Sequence, residues 1–332
     1  MYAKSAEADK RAVAERLAAA DSLIIVTHIH PDGDALGSMV ALARAARSAG
    51  KTAHTVLTDE VPLRYQFLAE EESPLDAKQF ERVADEVDEI VVVDTCAFAQ
   101  LGNVAEQLRL HRENVLVIDH HETSDDIGSL KWVEQGASAV GVMIGELLGE
   151  LGWAVDLTTA EALATAALSD TGWLRFSNTD GRCLRAVAQW FDLGVRPDRL
   201  YRRIYQADRP ERLRLLIRML EAMELRADGQ LAAAVLRNND FQLSGAMEHE
   251  TEDLVNEPMR LESVEVSVLV IETEDGSRVS LRSREYVDVS AVARQFGGGG
   301  HARAAGLRMS EPPDAVAAKL FNACEQAIAQ SA

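Results

Sequence analysis

Aromatic residues make up only 5% of this 332-residue chain, cysteine occurs three times and proline eight times. Three widely spaced thiols, Cys96, Cys183 and Cys324, do not form a disulfide framework and read as reduced, buried residues of a cytoplasmic protein. No run approaches the ~20 consecutive apolar residues of a membrane helix. The polar start from Met1 to Lys10 has no signal-peptide core. Positive charge is scarce as well: 34 Lys plus Arg stand against 54 Asp plus Glu, a net charge of −20. Such a surface repels long duplex nucleic acid, whose affinity comes mainly from phosphate neutralisation. It still admits a short anionic ligand held in a local basic pocket or by bound metal ions. The arginines cluster, eight of them between Arg196 and Leu220 and six between Arg278 and Arg308.

What is present is apolar residue enough, 47%, for a folded chain whose length suggests two domains. The first half alternates strands and helices. Apolar β-branched runs at Ser22–Thr27, Glu89–Asp94 and Asn114–Asp119, with a further strand at Thr52–Leu57, suit strands covered on both faces. Helical spacing occupies Ala6–Ala20, Ala35–Ala49, Ser138–Leu151 and Thr158–Asp170. The expected fold class is α/β: a doubly wound, mainly parallel N-terminal sheet over residues 1–193. An Arg-rich helical connector over 194–224 and a smaller α+β domain over 225–332 follow. In that last part strands are expected at Leu231–Arg237, Val264–Glu272, Arg278–Arg284 and Ala305–Met309, with helices at Val289–Phe296 and Pro313–Gln330.

Three of the expected N-terminal strands end in ligand-type residues: one in His28-Ile29-His30-Pro31-Asp32-Gly33-Asp34, one in Asp94, one in Asp119-His120-His121. Ligands of open α/β sheets bind outside the carboxyl ends of strands, so these clusters should converge, with Asp170 as a fourth acid. Carboxylates brought together repel unless cations neutralise them. Imidazoles mixed with carboxylates, without cysteine, suit first-row divalent ions such as Mn²⁺. Five or six such ligands suit two ions ~3.5–4 Å apart, an arrangement that activates water and clamps a phosphoryl group. The residues therefore point to two-metal phosphoester hydrolysis.

On these residues the sequence resembles the DHH phosphoesterase family. The match runs through His28-x-x-Pro31-Asp32-Gly33-Asp34-Ala35-x-Gly37-Ser38, Asp94, Asp119-His120-His121 and Ser169-Asp170-Thr171-Gly172. It continues through Ser280-Leu281-Arg282-Ser283-Arg284 and Gly297–Gly300 with His301, Ala304, Ala305 and Gly306. The motifs are most similar to those of the nanoRNase branch, oligoribonucleases that also dephosphorylate 3′-phosphoadenosine 5′-phosphate (pAp). His30 stands where that family usually has Asn.

The resemblance implies two Mn²⁺ ions, with Mg²⁺ or Co²⁺ as alternatives. One would be held by His28, Asp32 and Asp94, the other by Asp34, Asp94, His120 and Asp170. It implies His121 as a contact to the scissile phosphate and Asp119 as the group orienting the imidazole. A substrate pocket would comprise Arg282, Ser283, Gly298, Gly299, Gly300 and His301, with Asn256 and Arg260. The glycine run is equally consistent with a hinge loop. The implied partners are short RNA or a small nucleotide, not long duplex or a membrane, with a homodimer as the implied assembly. Rival readings are a linear or cyclic dinucleotide phosphodiesterase, an inorganic pyrophosphatase, a RecJ-type exonuclease and, from another class, a non-catalytic nucleotide sensor.

Overall fold

The computed structural model describes residues 2–70, 72–121 and 125–331. The chain divides into two compact units, Met1–Ala207 and Asp208–Ala332.

In the first unit, β1 (Ser22–Val26), β2 (Thr52–Val56), β3 (Glu89–Val93), β4 (Val115–Asp119) and β5 (Leu130–Val133) form one sheet in the order β2-β1-β3-β4-β5. Every pairing in it is parallel. The helices are α1 (Tyr2–Ala19), α2 (Gly33–Ser48), α3 (Gln66–Ala69), α4 (Ala77–Val83), α5 (Ala105–Leu110), α6 (Val140–Leu151), α7 (Leu157–Asp170), α8 (Gly181–Asp192) and α9 (Pro197–Tyr205).

Strand side chains alternate between two cores. Leu23, Ile25, Val91, Val93, Leu116 and Ile118 face the core that also contains α2, α6 and α7 residues. Ile24, Val26, Ile90, Val92, Val115 and Val117 join Phe80, Leu101 and Leu108 on the opposite side. Burial on both faces is why these strands carry unbroken Val/Ile runs rather than polar alternation.

The alanine-rich character of α2 and α7 reflects close contact between them. A Cβ on Gly37 would lie 2.4 Å from the Ala162 carbonyl oxygen, and one on Gly141 would lie 2.3 Å from the Ala166 Cβ. Small residues here bring Asp34 on α2, the start of α6 and the end of α7 toward one another.

The second unit has a six-stranded sheet in the order β10-β11-β9-β8-β7-β6. Its strands are β6 (Glu224–Arg226), β7 (Leu231–Leu236), β8 (Val266–Thr273), β9 (Gly276–Ser283), β10 (Gly299–His301) and β11 (Ala304–Met309). Only β7 and β8 pair in parallel. The helices α12 (Val289–Arg294) and α13 (Pro313–Ser331) contribute to one core of this unit, and α10 (Pro210–Glu221) and α11 (Asn238–Ser244) contribute to another.

The stretch expected as a connector is shared between the units. Leu200 and Ile204 of α9 belong to the first unit's core, whereas Leu215 and Met219 of α10 belong to a second-unit core. Each helix has its own buried stripe, which is what divides them. The sequence reading passed over the strands β5, β6 and β10 and the helices α3, α4, α5, α8 and α11. Among the described residues no helix is long and apolar enough to cross a membrane.

Candidate metal centre

The strand order 2-1-3-4-5 reverses direction between β1 and β3, and the crevice at such a reversal is where doubly wound sheets take ligands. His28 follows β1 and Asp94 follows β3 directly. Asp32 caps α2: its Oδ1 accepts hydrogen bonds from the Asp34 and Ala35 N–H groups at 3.0 and 3.1 Å. That cap turns the chain from the His28 loop into α2 and sets Asp34 in the first helical turn.

Two clusters result. Ligand atoms of His28, Asp32 and Asp94 lie within 4.8 Å of one another, and so do those of Asp34, His120 and Asp170. Asp94 serves both. Its Oδ2 is 3.6 Å from His28 Nε2 and its Oδ1 is 3.6 Å from His120 Nε2. His120 Nε2 is also 3.9 Å from Asp34 and 3.8 Å from Asp170. These separations exceed hydrogen-bond lengths but suit donors around a shared cation, since two ligands each ~2.1 Å from an ion stand ~3–4 Å apart.

Both imidazoles are oriented by backbone. His28 Nδ1 is 2.8 Å from the Ile29 carbonyl oxygen and His120 Nδ1 is 2.9 Å from that of Ala137, so each Nδ1–H donates and each Nε2 faces the carboxylates. Asp34 is fixed from three sides. Its Oδ2 accepts from the Val140 N–H at 2.7 Å, and its Oδ1 from the Gly141 N–H at 2.9 Å and the Ser38 hydroxyl at 3.1 Å.

The electrostatics call for cations. Burial pushes the Asp34, Asp94 and Asp170 carboxyls above their ordinary range, and neighbouring acids add to this at each. Asp94 and Asp170 are shifted furthest. Asp94 Oδ1 and Asp119 Oδ2 are buried without a hydrogen-bond partner among the described residues. Asp94 also holds a left-handed backbone, φ +62°, a conformation that costs a non-glycine residue ~1–3 kcal/mol and concentrates at functional sites. Orphaned carboxylate oxygen, crowded acids and inward imidazole nitrogens together fit divalent cations bound by oxygen and nitrogen.

Asp119 and His121 form a third, adjoining group. Asp119 Oδ1 accepts from His121 Nδ1 at 2.7 Å and from the His120 N–H at 2.8 Å. Burial raises the Asp119 carboxyl, but the hydrogen bond and charge of His121, with the charge of His120, outweigh it and hold it below the usual range. His30, by contrast, lies outside the clusters. Its side chain is exposed, with Nδ1 3.0 Å from Asp59, and its N–H donates to the same carboxylate.

In the second unit, Arg282 and Ser283 lie on β9, and Arg282 sits opposite Ala304 in the β9–β11 pairing. Its Nη1 donates to the Leu281 carbonyl oxygen at 3.0 Å, and burial lowers its proton affinity against the opposing pull of Asp253 and Glu252. Half of the glycine run is strand: Gly299, Gly300 and His301 pair with Gly306, Ala305 and Ala304. A Cβ on Gly298 would meet the Gly306 carbonyl oxygen at 2.4 Å, whereas one on Gly299 would meet nothing within 4 Å. Asn256 donates to Asp253 Oδ1 at 3.0 Å, and Arg260 is largely exposed near Glu257.

Residues 22–168 match the model of the DHH family, N-terminal domain, and residues 231–330 match the DHHA1 domain. Over 303 residues, 90% of this chain and 88% of its relative, the sequence is 33% identical to the bifunctional oligoribonuclease and PAP phosphatase NrnA of Thermus thermophilus. The chain belongs to the DHH family of phosphoesterases. Among solved structures, this DHH-family chain shares its fold with an exopolyphosphatase-related protein from Bacteroides fragilis. The TM-score is 0.88 at 22% identity, over 98% of this chain and 96% of that one. It also shares fold with RecJ of Thermus thermophilus in complex with Mn²⁺, at a TM-score of 0.58 and 15% identity over 97% of this chain and 55% of that one.

Sequence reading missed the backbone groups that hold the ligands, Ala137, Val140 and Gly141, and the Asn178 side chain. A backbone donor or acceptor leaves no residue-type signal.

Proposed function

We propose that this phosphoesterase hydrolyses short oligoribonucleotides to mononucleotides and converts pAp to AMP, using two divalent ions, Mn²⁺ being the expected species. The reading rests on the Asp94 carboxylate, whose two oxygens face His28 and His120 separately at 3.6 Å, and on the near full-length relative of that activity. His28 and Asp32 would hold one ion, Asp34, His120 and Asp170 the other, with Asp94 common to both. When bound, such a pair lowers the pKa of coordinated water and offsets the charge gathering on a phosphoryl group.

The protein's own contribution is positioning. The Nδ1–H bonds of His28 and His120 to carbonyls fix the orientation of both rings and leave Nε2 as the nitrogen aimed inward. Asp119 anchors His121 through Nδ1, which leaves Nε2 as the atom of that ring able to donate to a phosphate oxygen of the substrate. Arg282 would bind a second phosphate of the substrate through its guanidinium, with Ser283, Gly299, His301, Asn256 and Arg260 around the nucleotide. The chain's −20 net charge disfavours long nucleic acid and so favours small substrates.

The test is hydrolysis of a 5′-labelled RNA dinucleotide, pAp, cyclic di-AMP and pyrophosphate, side by side with Mn²⁺ and with EDTA. Mononucleotide release and AMP formation that need Mn²⁺ are expected. Turnover of cyclic di-AMP or pyrophosphate alone would overturn the substrate assignment, and EDTA-resistant turnover would overturn the metal assignment.

A further inference from the structure

Asp34, His120 and Asp170 come from three distant parts of the chain, yet one short segment holds them all. The Ala137 carbonyl oxygen accepts from His120 Nδ1 at 2.9 Å, and the Val140 and Gly141 N–H groups donate to Asp34 at 2.7 and 2.9 Å. Asp170 is tied to the same segment through an intermediary. Asn178 Nδ2 donates to the Ser138 carbonyl oxygen at 3.0 Å and to Asp170 twice, at its backbone oxygen and at Oδ2, each 3.2 Å. All three acceptors are carbonyl or carboxylate oxygens, which settles that the amide nitrogen of Asn178 points at them. With two hydrogens for three acceptors, one hydrogen is shared.

The other cluster uses none of this. His28 bonds the Ile29 carbonyl oxygen next to it, and Asp32 caps its own helix. Segment 137–141 thus aligns one cluster only.

We propose that Asn178 is a positioning residue that fixes the Asp170 carboxylate against segment 137–141, and thereby sets the affinity of the Asp34–His120–Asp170 cluster for its cation independently of the His28–Asp32 cluster. This rests on the two-ion reading above. Asn178 touches no reacting atom; it acts through Asp170. Without it, Asp170 at the end of α7 keeps its place but loses the donor that selects its rotamer. Partners that orient ligands in this way are worth ~10–100-fold in metal affinity.

The experiment strips the full chain with EDTA and titrates it with Mn²⁺, reading free Mn²⁺ by electron paramagnetic resonance. Asn178 is exposed, so its variants should fold as the parent does, and circular dichroism checks this. The parent is expected to bind two Mn²⁺. Asn178→Ala should weaken one of them about 10–100-fold and leave the other within about twofold. Asn178→Leu, which keeps the bulk of the side chain without its donors, should weaken the same ion as much. Unchanged affinity at both sites in both variants overturns the proposal, as does equal weakening of both ions. So does recovery of affinity in Asn178→Leu, because side-chain volume would then be the cause. A parent that binds a single Mn²⁺ refutes the two-ion reading instead. The variants then decide the proposal on that ion: weakening upholds it and unchanged affinity overturns it.

Discussion

Replacing Asp94 by Asn should abolish metal-dependent activity while stabilising the metal-free protein. Asp94 is 2% exposed, lies within 4.8 Å of ligand atoms of Asp32 and Asp119, and has one oxygen with no hydrogen-bond partner among the described residues. At an effective dielectric constant of ~20, each charge pair at such a distance costs about 3–4 kcal/mol. The total is capped, because a carboxyl under enough strain takes up a proton instead. From an ordinary value of 3.8 to pH 7.5, that cap is about 5 kcal/mol at 1.36 kcal/mol per pH unit.

A neutral amide of the same shape removes most of the penalty, so the metal-free variant should gain about 1–5 kcal/mol. That corresponds to a rise of about 2–4 °C in Tm per kcal/mol for a unit of this size. The sign with pH follows from the raised folded-state pKa. Asp94's own contribution to the metal-free parent is most favourable below about 3.8 and is lost as pH rises through the folded value, and Asp94→Asn should lack that loss. Calorimetry at several pH values, with EDTA and with Mn²⁺, is the assay. Mn²⁺ should raise the Tm of the parent far more than that of the variant. A metal-free variant less stable than the metal-free parent, or equal stabilisation of both by Mn²⁺, would refute the reasoning.

Three further outcomes are expected. Asp119→Asn keeps an acceptor for His121 but loses the charge, so kcat should fall about 10–100-fold with Mn²⁺ affinity little changed; loss of Mn²⁺ binding would instead make Asp119 a ligand. Gly298→Ala should lower second-unit stability by about 1–3 kcal/mol, because its Cβ meets the Gly306 carbonyl oxygen at 2.4 Å, while Gly299→Ala should leave Tm unchanged and raise KM for the dinucleotide. Equal Tm values for the two glycine variants would contradict the packing argument. Cys183 and Cys324 are buried and pushed up to about 11 and about 12, so neither should be alkylated by iodoacetamide in the native chain at pH 8; intact mass after denaturation should then show both labelled.

The catalytic unit was legible because its signals are local. Val and Ile runs marked β1, β3 and β4, each followed at once by His28, Asp94 or Asp119-His120-His121, and the rule for open α/β sheets brought those ends together. In the second unit the strand that carries Arg282 was legible, whereas β10, formed by the end of the glycine run, was not, because glycine carries no strand signal. Among what escaped were β5, only four residues long, and α8, whose buried face is just Cys183, Val187 and Trp190. The division of the Arg-rich stretch also escaped, since α9 and α10 look alike in composition and differ only in which core covers them.

Residue types and spacing were enough to name the acids and imidazoles and the chemistry they suit. Which atom of each side chain faces the site was decided only by tertiary structure. The Ala137 carbonyl aims His120, the α6 N–H groups hold Asp34, and Asn178 holds Asp170. Periodicity records which face of an element is buried; it carries no trace of a backbone group that arrives from a hundred residues away.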